Sequence, residues 1–349
     1  MSSRIDNYWY GHRRPLVWLW PLAWLWQWVS SARRRRYGSR KQGYRPALPV
    51  LVVGNITVGG TGKSPFVAWL VARLQARSYR PVILSRGYGG QSEHYPMLVT
   101  ADSDPVECGD EPVMLAQQCG CYVVVDPRRA RAAAYAERQL LGDILVCDDG
   151  LQHYPLQRDM EFALFDGARG AGNQAPVPVG PLREPLSRLR QVSFCLSTGT
   201  PSHSSWSAIR RPTETVHEVR QGPWRLRHLH TGEIRALDWL HGLTINAVAG
   251  IANPNRFFDT LTELDAKVIP HPFPDHYAFR VSDFQLDHGP VVMTAKDAVK
   301  CRHVAPEETW VLDVMSEPVE DLEDALFQRL NEIERQRRPM PTTEESTRG

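Results

Sequence analysis

The sequence predicts an α/β protein: a doubly wound, largely parallel sheet followed by a smaller α/β unit. Three observations carry that expectation. Short apolar runs alternate with helical patterns over residues 49–200, the rhythm of repeated βαβ units. The rhythm stops between about 201 and 241, where stretches 215–219 and 224–229 alternate in polarity and read as two antiparallel connector strands. It then resumes to the end of the chain. The 349 residues, 42% of them apolar, suffice for one large or two ordinary domains.

In the first unit, strands are expected over 50–53, 81–85, 122–125, 144–147, 162–165 and 192–196, with helices over 63–75, 112–118 and 128–140. Segment 168–185 is rich in Gly and Pro and reads as a long functional loop. In the second unit, strands are expected over 245–249, 267–269, 291–293 and 310–313. Its helices fall over 254–264, 297–303 and 319–335. The organisation is therefore an N-terminal segment (1–44), a first α/β domain (45–212), a β linker (213–243), a second α/β domain (244–338) and a polar, disordered tail (339–349).

Between the first strand and the first helix stands Thr57-Val58-Gly59-Gly60-Thr61-Gly62-Lys63-Ser64. Strand, glycine loop, Gly-Lys-Ser and helix form the layout of a nucleoside-triphosphate P-loop, so the first domain is expected to be P-loop NTPase-like. Glycines let backbone N–H groups turn onto phosphate oxygens, and the helix N-terminus adds its dipole. Lys63 is placed to reach the outer phosphates and Ser64 to offer a hydroxyl to Mg²⁺. Thr57 stands where such loops usually open with Gly, and Gly59 and Gly60 supply the flexibility instead.

A P-loop needs an acidic metal partner at the end of a nearby strand. Ile144-Leu145-Val146-Cys147 runs into Asp148 and Asp149, as in a Walker B strand. His153 follows closely. Gly109-Asp110-Glu111-Pro112 precedes a helix, and by itself is equally an ordinary acidic N-terminus. Arg183, closing the long loop, suits charge on a transferring phosphoryl group or a surface ion pair. Asp275-His276-Tyr277 offers a base or proton shuttle. Thr294-Ala295-Lys296-Asp297 lacks the acid that guanine recognition requires at position 298.

The six cysteines show neither C-x-x-C nor zinc spacing and read as reduced thiols of a cytoplasmic protein. The net charge of +2 gives no reason to expect nucleic acid as a partner. The N-terminus is distinctive. Residues 16–29 are almost wholly apolar and hold Trp18, Trp20, Trp24, Trp26 and Trp28, and Arg33–Arg36 follow. As a helix this stretch covers roughly 21 Å, short of the ~30 Å hydrocarbon core. Tryptophans at the headgroup boundary and arginines on anionic lipid suggest a segment lying in the cytoplasmic leaflet. A signal peptide or a single-span anchor are the rival readings.

Taken together, these residues resemble the tetraacyldisaccharide 4'-kinases of lipid A biosynthesis. The resemblance rests on residues 54–65, Ser85-Arg86-Gly87-Tyr88-Gly89-Gly90, Gly109-Asp110-Glu111-Pro112, Asp148-Asp149-Gly150-Leu151-Gln152-His153 and Gly180-Pro181-Leu182-Arg183-Glu184-Pro185. Gly250-Ile251-Ala252-Asn253-Pro254, Asp275-His276-Tyr277 and residues 294–300 extend it into the second unit. Thr57 is itself a feature of that family. Ser64 replaces the commoner Thr, and Leu151 a frequent Phe.

The resemblance implies ATP- and Mg²⁺-dependent phosphorylation of the 4'-hydroxyl of a tetraacylated glucosamine disaccharide 1-phosphate. It implies an enzyme on the cytoplasmic face of the inner membrane, touching its lipids. By the same resemblance Asp110 is the base, paired with His276. Ser64, Glu111, Asp148, Asp149 and His153 surround the metal, and Arg183 and Glu184 line the site. A soluble kinase of a small metabolite and a membrane-bound ATPase switch remain the alternatives.

Overall fold

Strand β1 (Val50–Gly54) is buried along its whole length. It lies between two parallel partners in a sheet covered on both faces, which is why its residues form an unbroken apolar run. The computed structural model describes residues 5–11, 13, 15–38, 43–213, 215–251, 253–275, 277–286 and 289–337. The tail expected to be disordered and His276 lie outside these residues.

The chain begins with α1 (Asp6–Trp9) and α2 (Trp20–Gly38), then β1, α3 (Lys63–Ala76), β2 (Pro81–Ser85), β3 (Met97–Val99) and α4 (Pro105–Cys108). It continues through α5 (Asp110–Cys119), β4 (Val123–Val125), α6 (Arg129–Arg138), β5 (Ile144–Cys147), β6 (Met160–Asp166), β7 (Phe194–Thr198) and α7 (Trp206–Ile209). The linker strands are β8 (Val216–His228) and β9 (Ile234–Arg235). The second unit holds β10 (Thr244–Ala249), α8 (Pro254–Glu263), β11 (Lys267–Pro272), β12 (Val291–Thr294), α9 (Ala295–Cys301), β13 (Thr309–Pro318) and α10 (Leu322–Arg337).

One sheet runs through the described residues in the order β11-β10-β12-β13-β8-β7-β6-β1-β5-β2-β4-β3, with β9 added against β8. Side chains of the first unit alternate between its two faces with a period of two. Leu51, Val53, Ile83, Val146, Phe162 and Leu164 enter the core beneath α3 and α5. Val50, Val52, Leu84, Leu145, Ala163 and Phe165 enter the opposite core, with α6 and α7. Each of these side chains larger than Ala contributes about 1.5–3 kcal/mol by leaving water.

The linker differs from the expected pair of short strands. Stretches 215–219 and 224–229 lie in a single strand, β8, and its hairpin partner is the two-residue β9. Gln221-Gly222-Pro223 reads as a break in the sequence, but a register shift opposite Asp313/Val314 absorbs it. A bulge is one of the few places where a strand tolerates Pro. Strand β3, antiparallel to β4, was not expected at all.

Strand β8 is parallel to β7 but antiparallel to β13. The strands of the second unit, parallel to β13, therefore run opposite to those of the first. Because β8 continues past the end of β7, the carboxyl edges of both half-sheets face one cleft. Ligands of open α/β sheets bind at carboxyl edges, so this cleft is where chemistry is expected.

The closing helix also departs from the expected domain division. Leu322, Leu326, Phe327, Leu330 and Ile333 of α10 share a core with Phe66, Leu70 and Leu74 of α3. Arg337 reaches Asp159 at 2.6 Å and the Ala47 carbonyl at 2.6 Å. This helix completes the first unit.

At the N-terminus, α2 runs on through the arginine cluster and is one continuous helix. Trp18, Trp24 and Trp28 are exposed, whereas Ala23 is buried against Ala175 and Val179 of the long loop. No helix among the described residues is long and apolar enough to cross a membrane.

Candidate active site

The P-loop is built between β1 and α3. Gly62 has φ 74°, a left-handed conformation that turns the chain into the helix beginning at Lys63. A Cβ there would meet the Gln221 side chain at 1.9 Å and Thr198 Cγ2 at 3.1 Å. Gly59 has φ 113°, and no atom lies within 4 Å of where a Cβ on Gly60 would stand. The outer rim of the loop is thus open to a ligand. Asn55 closes the turn by donating to the Gly59 carbonyl at 3.1 Å, and Thr198 Oγ1 donates to that of Thr61 at 2.8 Å.

Thr57 has a structural reason for being there. It is buried and bridges antiparallel to Leu182 of the long loop. Val58 N donates to the Pro181 carbonyl at 2.8 Å, and Arg183 N donates to that of Ile56 at 2.7 Å. These bonds bring Arg183 to the P-loop.

Strand β5 lies directly beside β1 and delivers the acidic pair. Lys63 Nζ is 3.5 Å from Asp149 Oδ1, and Arg183 Nη1 is 3.6 Å from Asp149 Oδ2. Burial alone would push the Asp149 carboxyl upward, but Lys63 and Arg183 outweigh it and hold its pKa below the usual value. Asp148 behaves oppositely. Burial, then Glu111 and Asp149, raise its pKa to about 8 against the pull of Lys63 and Arg129. Its Oδ1 is buried without a hydrogen-bond partner. Ser64 Oγ donates to Glu111 Oε1 at the start of α5.

These groups fit a magnesium site. Among the described residues no three of His, Cys, Asp and Glu form a ready-made metal cage. Mg²⁺ in phosphoryl-transfer sites takes one or two protein ligands and fills the rest with phosphate oxygens and water. The unpartnered Asp148 oxygen and the Ser64 hydroxyl match that pattern.

Two expected residues sit differently. His153 is half-buried and faces Arg129, Arg33 and Arg86; partial burial first and then these guanidiniums lower its pKa to about 3. Such surroundings repel a cation and suit an anion. Glu184 is fully buried. It accepts from the Tyr154 hydroxyl and from Gln152 Nε2 at 3.2 Å, with Arg188 Nε at 3.9 Å. Arg188 is paired in turn with both oxygens of Glu161, at 2.6 and 2.7 Å. Glu184 therefore anchors the loop behind Arg183 and does not line the cleft.

Asp110 opens α5 and meets Lys300 of α9, whose Nζ is 2.9 Å from Oδ2. Lys296 Nζ lies 3.1 Å from Asp275 Oδ1. Sequence reasoning found this lysine-bearing motif without assigning either lysine a role. Arg129, which donates to the Asp148 carbonyl at 3.1 Å, it missed altogether; no acidic partner in the sequence marks it.

The sequence profile of the family described as Tetraacyldisaccharide-1-P 4'-kinase matches residues 15–331. The chain belongs to the tetraacyldisaccharide 4'-kinase family. It is thereby an ATP-binding kinase of lipid A biosynthesis. A tetraacyldisaccharide 4'-kinase of Hahella chejuensis is 41% identical over 340 residues, covering 95% of this chain and 98% of the relative. One from Alkalilimnicola ehrlichii is 46% identical over 329 residues, covering 90% and 93%. A crystal structure of LpxK from Aquifex aeolicus in complex with ATP superposes with a TM-score of 0.72 at 25% identity. It covers 90% of this chain and 98% of the Aquifex chain. The tetraacyldisaccharide 4'-kinase fold is thus the two-unit sheet described above.

Proposed function

We propose that the chain transfers the γ-phosphoryl group of ATP to the 4'-hydroxyl of a tetraacylated glucosamine disaccharide 1-phosphate at a membrane surface, with Asp110 as the base. The observation that carries this reading is the convergence of the P-loop, Lys63, Arg183 and the Asp148–Asp149 pair at one carboxyl edge, with α5, which Asp110 opens, tied to the P-loop through Glu111 and Ser64. Phosphoryl transfer is mainly positioning and charge neutralisation. Backbone N–H groups of residues 59–62 and the dipole of α3 bind the phosphates, that of Val58 being taken by the Pro181 carbonyl. Lys63 and Arg183 are shared between Asp149 and the incoming γ-phosphate. Asp110 takes the proton from the attacking hydroxyl, with His276 as its partner in that task.

Ser64 and Asp148 would hold Mg²⁺, with Glu111 and Asp149 close enough to fix its waters. When bound, the ion neutralises charge on the β- and γ-phosphates. We give His153 no part in that shell. The exposed tryptophans of α2 and the arginines at its end support placement on the anionic, cytoplasmic leaflet of the inner membrane.

The test is incubation with γ-labelled ATP, Mg²⁺ and tetraacyldisaccharide 1-phosphate in mixed micelles, with mass analysis of the lipid. Gain of one phosphoryl group on the distal sugar is expected, and chelation should abolish it. Labelled free phosphate with unchanged lipid would overturn the reading. Flotation with phosphatidylglycerol vesicles tests the membrane placement: salt-sensitive flotation is expected, and its absence would remove that part.

A further inference from the structure

Helix α9 is fixed rigidly at the cleft. Thr294 caps it, accepting from Asp297 N at 3.2 Å. Asp297 is itself buried, accepting from Thr294 Oγ1 at 2.6 Å and from Gly250 N at 2.9 Å. Ala298, Val299 and Cys301 are packed in the interior. From this fixed body project two lysines four residues apart, hence on one side of the helix. Lys300 crosses to the first unit and meets Asp110 at 2.9 Å, in a pair only 21% and 33% exposed. Lys296 meets Asp275, the residue before His276, at 3.1 Å.

We propose that Lys300 is a positioning residue for phosphoryl transfer, holding the Asp110 carboxylate in the cleft, while Lys296 holds the segment that carries His276. One helix thereby reaches acidic groups of both units. The inference rests on the reading of Asp110 as base. Lys300 does not touch the reacting atoms; it fixes the group that does, and the α5–α9 contact gives it a firm base from which to do so. Losing about an ångström of placement at a reacting group can cost on the order of 10²-fold in rate.

The test is a double-mutant cycle on the full chain. Lys300→Ala should lower kcat by roughly 10- to 100-fold while the KM for ATP stays within about twofold. Lys300→Arg, which keeps the charge, should recover most of that loss. In an Asp110→Asn background, Lys300→Ala should cost nothing further. An equal loss in both backgrounds, or an unchanged kcat in the single variant, would overturn the proposal. If Lys300→Ala fails to fold, Lys300→Gln is read in the same cycle. A wild-type rate in Asp110→Asn alone would instead remove the base assignment. Lys296→Ala should be likewise non-additive with His276→Ala, and multiplicative losses would dismiss its share.

Discussion

The hydroxyl of Tyr10 donates to the carbonyl of Val58, at the start of the P-loop, at 3.1 Å. A residue upstream of the tryptophan-rich helix thus touches the phosphate-binding backbone. Two further bonds tie the same segment to the long loop: Trp9 Nε1 to the Pro178 carbonyl at 3.1 Å and Trp26 Nε1 to that of Arg183 at 3.0 Å. The N-terminal segment is part of the wall of the site as well as a candidate membrane contact.

Deleting residues 1–36 is therefore expected to impair catalysis on detergent-dispersed substrate, and to impair it more on vesicles. Tyr10→Phe should weaken ATP binding by about 2- to 10-fold, the worth of one hydrogen bond of ~0.5–1.5 kcal/mol. Calorimetric titration with ATP checks the second claim. Full micellar activity in the deletion would reduce the segment to an anchor.

Lys63→Ala should abolish turnover and leave the fold intact. Lys63 lies against Asp149 at 3.5 Å at the cleft, outside both cores of the first unit, and Arg183 still accompanies that carboxylate. Thermal unfolding measured beside activity decides this. A variant that turns over normally would contradict the P-loop assignment.

Asp148 makes stability depend on pH. Its pKa, raised to about 8, exceeds the value of about 3.9 in the unfolded chain. The folded protein therefore binds this proton more tightly. Its stability is full below about pH 4 and falls as pH rises toward 8. Without Mg²⁺ and ATP, Asp148→Asn should melt higher than the parent, by a margin that widens between those limits. The variant should also lose at least ~10²-fold in kcat. Parallel melting curves across the range would show that Asp148 does not carry the proton.

Arg183 and Glu184 are neighbours with opposite expectations. Arg183→Ala should cost ~10²-fold or more in kcat with little change in melting. Glu184→Ala removes the acceptor for Tyr154 and Gln152 and should cost about 1–3 kcal/mol in stability. Chemical denaturation and kinetics on both variants separate the roles. Equal melting of the two would contradict the burial of Glu184.

Local signals made much of this legible. The P-loop, the strand entering Asp148, and the period-two apolar runs are each written within a few neighbouring residues. What escaped depends on distant pairing. Strand β8 looks broken at Gln221-Gly222-Pro223 because only its partner β13, some ninety residues on, supplies the bulge that accommodates the proline. Helix α10 follows the second unit in sequence, and nothing in its pattern says that Leu326 and Leu330 will share a core with Phe66. Glu184 beside Arg183 looks like a second site residue until Tyr154 and Arg188 close over it. The lysines of α9 gain meaning only once Asp110 is known to stand opposite.

The antiparallel pairing of β8 with β13 carries one more consequence. His228 stands opposite Trp310, at the far end of the ladder from Val219 and Pro318. Since α10 then rejoins the first unit, the chain enters and leaves the second unit through adjacent residues of a single long hairpin. Topologically the second unit is an excursion at the tip of that hairpin, inserted into an otherwise continuous nucleotide-binding module. A cut after Pro318 would strip a helix from the nucleotide-binding module, whereas a short turn joining the tips of β8 and β13 would excise the acceptor-side half alone.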